Sequence, residues 1–205
     1  WEVAALDEPD RDDLGAMNQL IEMLVNDQCV DPDRIFAAGF SNGGFFAAEL
    51  ACRPGSPIAA IVAVAGFHAP EPCARHVPTL VVHGTADPIV PLGTNGTSII
   101  VDDTMPQSVR ELLASSIEQE VDMSAAAAGC DDAPRSARLA ADVTELTYEG
   151  CADGADHQLV LVEGGGHTWP GATPSTDAGF LGPTTTSVDA TEMAWAFFAS
   201  HSNGP

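Results

Sequence analysis

The sequence predicts an α/β domain with a mostly parallel sheet flanked by helices, and three observations carry that prediction. Short apolar runs at Ile35–Ala38, Ile58–Phe67, Thr79–Val82 and Leu159–Val162 are evenly apolar, without the alternation of half-exposed strands, as strands buried on both faces are. Helix-like stretches separate them, with apolar residues three and four apart. Small-residue turns follow three of the runs, at 39–44, 84–86 and 164–166.

Taken in order, Asp12 and Asp13 precede Leu14, Met17, Ile21, Leu24 and Val25, so an acidic cap opens a first helix with one apolar face. Asp31-Pro32 is expected to end it. The run Arg34–Ala38 is the first strand and Phe45–Cys52 the helix behind it; Ile58–Phe67 is about half the length a bilayer requires and reads as a central strand. A second amphipathic stretch, Val109, Leu112, Leu113, Ile117 and Val121, begins after Pro106. The region 103–155 is the expected place of a lid or pocket wall, with plain packing as the alternative. The last helix, about Asp189–His201, has a capping-box pattern in Asp189 and Glu192 and an apolar face including Met193, Ala196 and Phe197. It is expected to cover the sheet beside the strand at 159–162. Residues 171–186, rich in Pro, Gly and Thr, read as a mobile loop.

The turns carry the chemistry. Gly39, Ser41 and Gly43 form a G-x-S-x-G pattern between a strand and a helix, the context of a nucleophile elbow, where small neighbours are required because the backbone is crowded. A serine hydroxyl is a weak nucleophile until a base accepts its proton, and the base must be held in one tautomer by an acid. Asp87 follows the strand at 79–82 and His167 the strand at 159–162, in the order acid then histidine that α/β-hydrolases use. Ser41, Asp87 and His167 are therefore the expected catalytic triad, and the amide of Asn42 is the expected oxyanion donor. Each residue alone has a plainer reading: G-x-S-x-G occurs by chance, Asp87 suits a turn, and His167 suits a loop. Their order and strand-end positions favour the triad. Trp169, two residues beyond His167, offers a flat apolar surface for substrate, against plain core packing. His68, His76, His83, His157 and His201 fit this logic less well and read as structural or surface residues.

The run 31–44, the hexapeptide His83-Gly84-Thr85-Ala86-Asp87-Pro88 and the segment Gly165–Gly171 together resemble the secreted polyhydroxybutyrate depolymerase and feruloyl esterase group of the α/β-hydrolase superfamily, over about Asp12 to His201. The resemblance implies an α/β-hydrolase fold and hydrolysis of carboxylic esters, among them polyester, feruloyl and acetyl-polysaccharide esters. It implies a secreted protein whose partner is an ester substrate, including an insoluble polymer. One departure stands out: relatives of this type place about 80 to 100 residues and an oxyanion loop before the elbow helix, whereas the elbow lies at position 41 of a chain opening on Trp1. The expectation is a single domain lacking its first strands and its second oxyanion donor. A non-catalytic fragment or scaffold, and an acyltransferase in which an alcohol resolves the acyl-enzyme, are the alternatives.

Composition agrees with one domain: 205 residues at 45% apolar content suffice for a core, though few for a complete hydrolase of this kind. Thirty acidic residues face seven basic ones, all arginine, for a formal charge of −23. Such self-repulsion is screened within about 3 Å in molar salt, which suits a saline medium; an acidic protein from a GC-rich genome is the plainer reading. The charge argues against nucleic acid and anionic membranes as partners and favours neutral esters. Five cysteines are many for a cytosolic chain. Four cysteines allow three pairings; the resemblance implies Cys52 with Cys73 and Cys130 with Cys151, leaving Cys29 as a buried thiol or one whose partner lies elsewhere. No metal or organic cofactor is expected, since neither C-x-x-C nor H-x-x-x-H spacing occurs. Asn95-Gly96-Thr97 matches a glycosylation sequon but equally a turn, and Asp177 is given no catalytic role.

Overall fold

A computed structural model describes residues 12–93, 107, 110, 114–173 and 178–202. Val109, Leu112, Leu113, the Asn95 sequon and Asp177 lie outside the described residues. Helix α1 spans Asp13–Gln28, β1 Ile35–Phe40, α2 Asn42–Cys52, β2 Ile58–Val64 and β3 Thr79–Gly84. They are followed by α3 at Ile117–Ala127, β4 at Arg135–Ala140, β5 at Val143–Tyr148, β6 at His157–Val162, a short helical turn α4 at Ala178–Leu181, and α5 at Ala190–Ala199.

The described strands form one sheet in the order β1-β2-β3-β6-β5-β4. The first four are parallel, while β5 joins β6, and β4 joins β5, antiparallel. This is an α/β-hydrolase architecture: a mostly parallel sheet between helices. The central strands explain the evenly apolar runs. Along β2, Ile61 and Ala63 face a core built with α1, α2 and α3, while Ala60, Val62 and Val64 face a second core closed by α5. Alternate residues thus enter two different cores, so no position is left for a polar side chain.

Local chemistry sets the helix ends. The Asp12 carboxylate caps α1 by accepting the Gly15 amide at 2.8 Å, and Ser116 with Gln119 forms a reciprocal capping box on α3. Such caps contribute about 1 kcal/mol each. Helix α1 stops at Gln28, before the expected Asp31-Pro32, because Cys29 adopts a left-handed φ of 54° and turns the chain. On α1 only Leu14 is buried; Met17 and Ile21 pack against the core, and Leu20, Met23 and Leu24 are exposed.

Two expectations, the apolar face of the last helix and the mobile loop at 171–186, need correction, and the hairpin β4–β5 adds to the sheet. The described part of 103–155 packs into the body of the fold: Ile117, Val121 and Ala125 of α3 enter the core, and β4 with β5 extends the sheet as a hairpin that no apolar run announced. On α5 the buried face is Ala190, Ala194, Phe197 and Phe198, with Ala196 exposed. This face lies across β2 and β3, and Phe198 stacks on Phe36 of β1 with centroids 4.7 Å apart. Asp189 accepts the Thr191 and Glu192 amides as the N-cap. Finally, the described part of 171–186 is tied down: the amides of Gly166, His167 and Gly171 donate to the carbonyls of Pro183, Leu181 and Thr185.

The disulfides are Cys52–Cys73 and Cys130–Cys151, each closing a separation of 21 residues, and Cys29 is free and exposed, so its reading as a buried thiol does not hold. No helix among the described residues is long and apolar enough to cross a membrane.

Candidate active site

Ser41 occupies the turn between β1 and α2 with φ 54° and ψ −121°. A non-glycine residue in that region is strained and persists only where its surroundings enforce it. Here they do. The Ser41 amide donates to the Val64 carbonyl at 2.8 Å, and the Ser41 carbonyl accepts the Gly44 amide at 2.9 Å. A Cβ on Gly39 would run into the Gly43 carbonyl and one on Gly44 into the Gly66 carbonyl, so the small residues around the serine are required by backbone contact. Asn42 opens α2, and its side-chain oxygen is buried without a hydrogen-bond partner among the described residues.

Asp87 and His167 lie 80 residues apart in sequence and meet through the β3–β6 pairing, in which Gly84 stands opposite Val162. The two loops beyond these strands are stitched together. The Thr85 amide donates to the Val162 carbonyl, the Ala86 amide to the Gly165 carbonyl, and the Gly164 amide to the Thr85 hydroxyl. His167 Nδ1 then lies 2.8 Å from Asp87 Oδ2, with both side chains buried. The other carboxylate oxygen, Oδ1, accepts the Ile89 and Val90 amides at 2.8 and 2.9 Å. A carboxylate fixed in this way holds Nδ1 as the protonated nitrogen and leaves Nε2 to accept a proton.

Phe40, the residue before Ser41, brings the histidine to the elbow: its ring lies 5.0 Å from that of His167, centroid to centroid. It is 39% exposed and also faces Trp169 at 6.5 Å. Trp169 is only partly buried; its indole N–H donates to the Thr191 hydroxyl at 3.0 Å, and its ring packs against the core under α5. It therefore braces the histidine loop against α5, and one aromatic edge remains toward Phe40. Phe40 escaped the sequence reading, although its place inside the G-x-S-x-G pattern was a usable signal.

Of the remaining histidines, two are fully buried. His157 accepts from Ser124 Oγ at 2.8 Å and donates to the Ala155 carbonyl at 2.7 Å, and burial pushes its pKa down to about 4. His83 stands four residues before Asp87, with Nε2 donating to the Val90 carbonyl at 2.8 Å. His68, partly exposed, approaches Glu120 Oε2 at 3.3 Å. Burial pushes Glu120 upward, but the hydrogen bonds from His68, the Ala69 amide and Ser115 outweigh it and hold this carboxyl below the ordinary range. Cys130, Cys151 and His157 form a cluster with metal-ligand spacing, but both sulfurs are committed to a disulfide and both imidazole nitrogens to hydrogen bonds.

A family model described as phospholipase/carboxylesterase matches residues 10–116, a span holding the elbow and the Asp87 turn. The chain belongs to this family. Similar proteins with curated descriptions include a candidate esterase, NocK, from Nocardia uniformis subsp. tsuyamanensis, 35% identical over 80% of this chain and 51% of its own length. Another similar protein is feruloyl esterase B from Piromyces equi, 30% identical over 77% of this chain and 29% of its own length. The chain spans about half or less of the length of the curated relatives it matches. The family match supports an esterase-type α/β-hydrolase and does not single out the polyhydroxybutyrate depolymerase group.

Proposed function

We propose that this protein is a serine carboxylic-ester hydrolase working through an acyl-enzyme, with Ser41 as nucleophile, His167 as general base and Asp87 as the orienting acid. The observation that carries the reading is the buried His167–Asp87 contact of 2.8 Å beside an elbow serine held at positive φ. In this reading Ser41 attacks the ester carbonyl while His167 takes the hydroxyl proton, and Asp87 stabilises the imidazolium. His167 then protonates the leaving alcohol, and water repeats the cycle to release the acid. The Asn42 amide, at the first turn of α2, is the proposed first oxyanion donor; losing one such donor costs about a hundredfold or more in rate.

The second oxyanion donor is proposed to come from chain lying along β1. Among the described residues β1 is the sheet edge, and Phe40 at its end is exposed beside His167, which leaves room there for a further segment. As to substrate, a net charge of −23 favours neutral esters over anionic ones. The exposed aromatic edge of Phe40 and Trp169 favours an apolar or aromatic acyl group, and likeness to a protein named feruloyl esterase B supports esters on polysaccharide. The disulfides favour an oxidising, extracellular setting.

The test is hydrolysis of p-nitrophenyl acetate and butyrate by this chain and by Ser41→Ala, in low and in molar salt. Turnover that disappears in Ser41→Ala is the expected result. Equal rates in both proteins would overturn the assignment. No turnover from the folded chain at either salt would support the non-catalytic alternative or a need for the second donor, and covalent labelling of Ser41 by a fluorophosphonate separates these two.

A further inference from the structure

The sequence placed His83 among the structural residues, yet its surroundings are unlike those of a core filler. It is the penultimate residue of β3, 1% exposed, and paired in the sheet with Leu161. A carbonyl only accepts, so Nε2, at 2.8 Å from the Val90 oxygen, carries the ring proton. The same Nε2 lies 3.6 Å from Asp87 Oδ2, the oxygen that faces His167. Nδ1 is buried and has no partner among the described residues. An unpaired buried acceptor is a cost that phenylalanine or leucine at this position would not carry, so packing alone does not explain a histidine here.

Val90 links the two halves of the arrangement. Its amide donates to Asp87 Oδ1, and its carbonyl accepts from His83. The strand-borne imidazole therefore clamps the far end of the turn whose near end carries the carboxylate, and its protonated nitrogen lies 3.6 Å from the oxygen that faces His167. From this geometry we infer that His83 is a positioning residue that fixes the Asp87 carboxylate for its contact with His167. Among the described residues the titratable groups acting on the His83 ring are Asp87 and His167, and burial, opposed by Asp87 and the Val90 carbonyl, holds its pKa below the ordinary histidine value. A neutral ring leaves the charge of Asp87 to His167; a protonated one would compete for it.

This inference rests on the proposed triad, so its test carries a readout independent of turnover. His83→Phe keeps the bulk and removes the donor, whereas His83→Gln retains an N–H near the Nε2 position. The low-field proton resonance of the His167–Asp87 hydrogen bond, assigned by its loss in Asp87→Ala, is followed by NMR in each variant. The resonance is expected to move or broaden in His83→Phe and to return in His83→Gln. In parallel, kcat on p-nitrophenyl butyrate is expected to fall about ten- to hundredfold in His83→Phe, as for a misplaced catalytic group, with KM nearly unchanged and kcat largely restored in His83→Gln. A native resonance and native kcat in folded His83→Phe would overturn the inference. So would equal losses in both variants, because these would mark a packing role. Should Ser41→Ala leave hydrolysis unchanged while the resonance still follows His83, the catalytic reading falls and the positioning stands.

Discussion

At the scale of single residues, burial decides the protonation state of His157 and His83. His157 is 1% exposed with both ring nitrogens satisfied in the neutral form, and burial away from water disfavours the charged ring. Its pKa falls from 6.5 to about 4. Between these values the unfolded chain binds the proton and the folded one does not, so stability rises with pH across the window and is lost as the pH drops through it. The loss amounts to at most about 3 kcal/mol and levels off below the folded pKa. His83, also shifted down by burial, adds to the loss with the same sign. Urea denaturation at pH 4, 5, 6 and 7 is expected to show unfolding free energy falling toward the acid side. His157→Gln is expected to flatten this slope, and an unchanged slope would refute the assignment.

At the scale of elements, the elbow depends on backbone crossing backbone. The turn between β1 and α2 lies against the segment after β2 so closely that Gly66 has no room for a Cβ beside the Ser41 carbonyl, nor Gly44 beside the Gly66 carbonyl. Gly44→Ala is expected to destabilise the fold by about 1–3 kcal/mol or more, the range for overpacked sites, and to abolish labelling of Ser41 before the protein unfolds. A melting curve and the labelling yield together check this. Cys130–Cys151 joins the segment after α3 to the segment between β5 and β6, closing the loop that holds the hairpin β4–β5. A disulfide closing a loop of this size contributes about 3 kcal/mol. Replacing both cysteines by serine should therefore lower Tm by roughly 6–12 °C for a chain of this length, measured by calorimetry against the native protein.

At the scale of the whole molecule, charge governs stability. Thirty acidic residues against seven arginines leave a field that no set of local pairs neutralises. Surface pairs such as Arg135–Glu149, with both side chains more than half exposed, contribute little. Salt acts on the repulsion itself: the Debye length shortens from about 10 Å at 0.1 M to about 3 Å at 1 M. Raising sodium chloride from 0.1 to 2 M is expected to raise Tm by about 2–8 °C, the response to roughly 1–2 kcal/mol at this chain length. A Tm that stays level or falls would show that the acidic surface is not what limits the fold.

What the sequence determined by itself lay in short windows where one local requirement dominates. Strands buried on both faces are apolar along most of their length, so β2 and β3 were legible; an elbow needs glycines within a few residues, so Ser41 was legible; Asp12 announced its helix. The order of Asp87 and His167 made their partnership readable through the superfamily's order, although their contact at 2.8 Å depends on β3 pairing with β6. Tertiary structure alone decided the rest. The hairpin β4–β5, with several exposed positions and two arginines in β4, lacks an apolar run because it lies at the edge of the sheet. The mobile loop expected at 171–186 is held in its described part by carbonyls offered to the histidine loop, contacts that composition does not reveal. The burial of His83 beside the Asp87–His167 contact follows from β3 pairing with β6, which sets Leu161 opposite it. A side chain's neighbours within four residues are set by local geometry, whereas those from another strand are set by which strands pair.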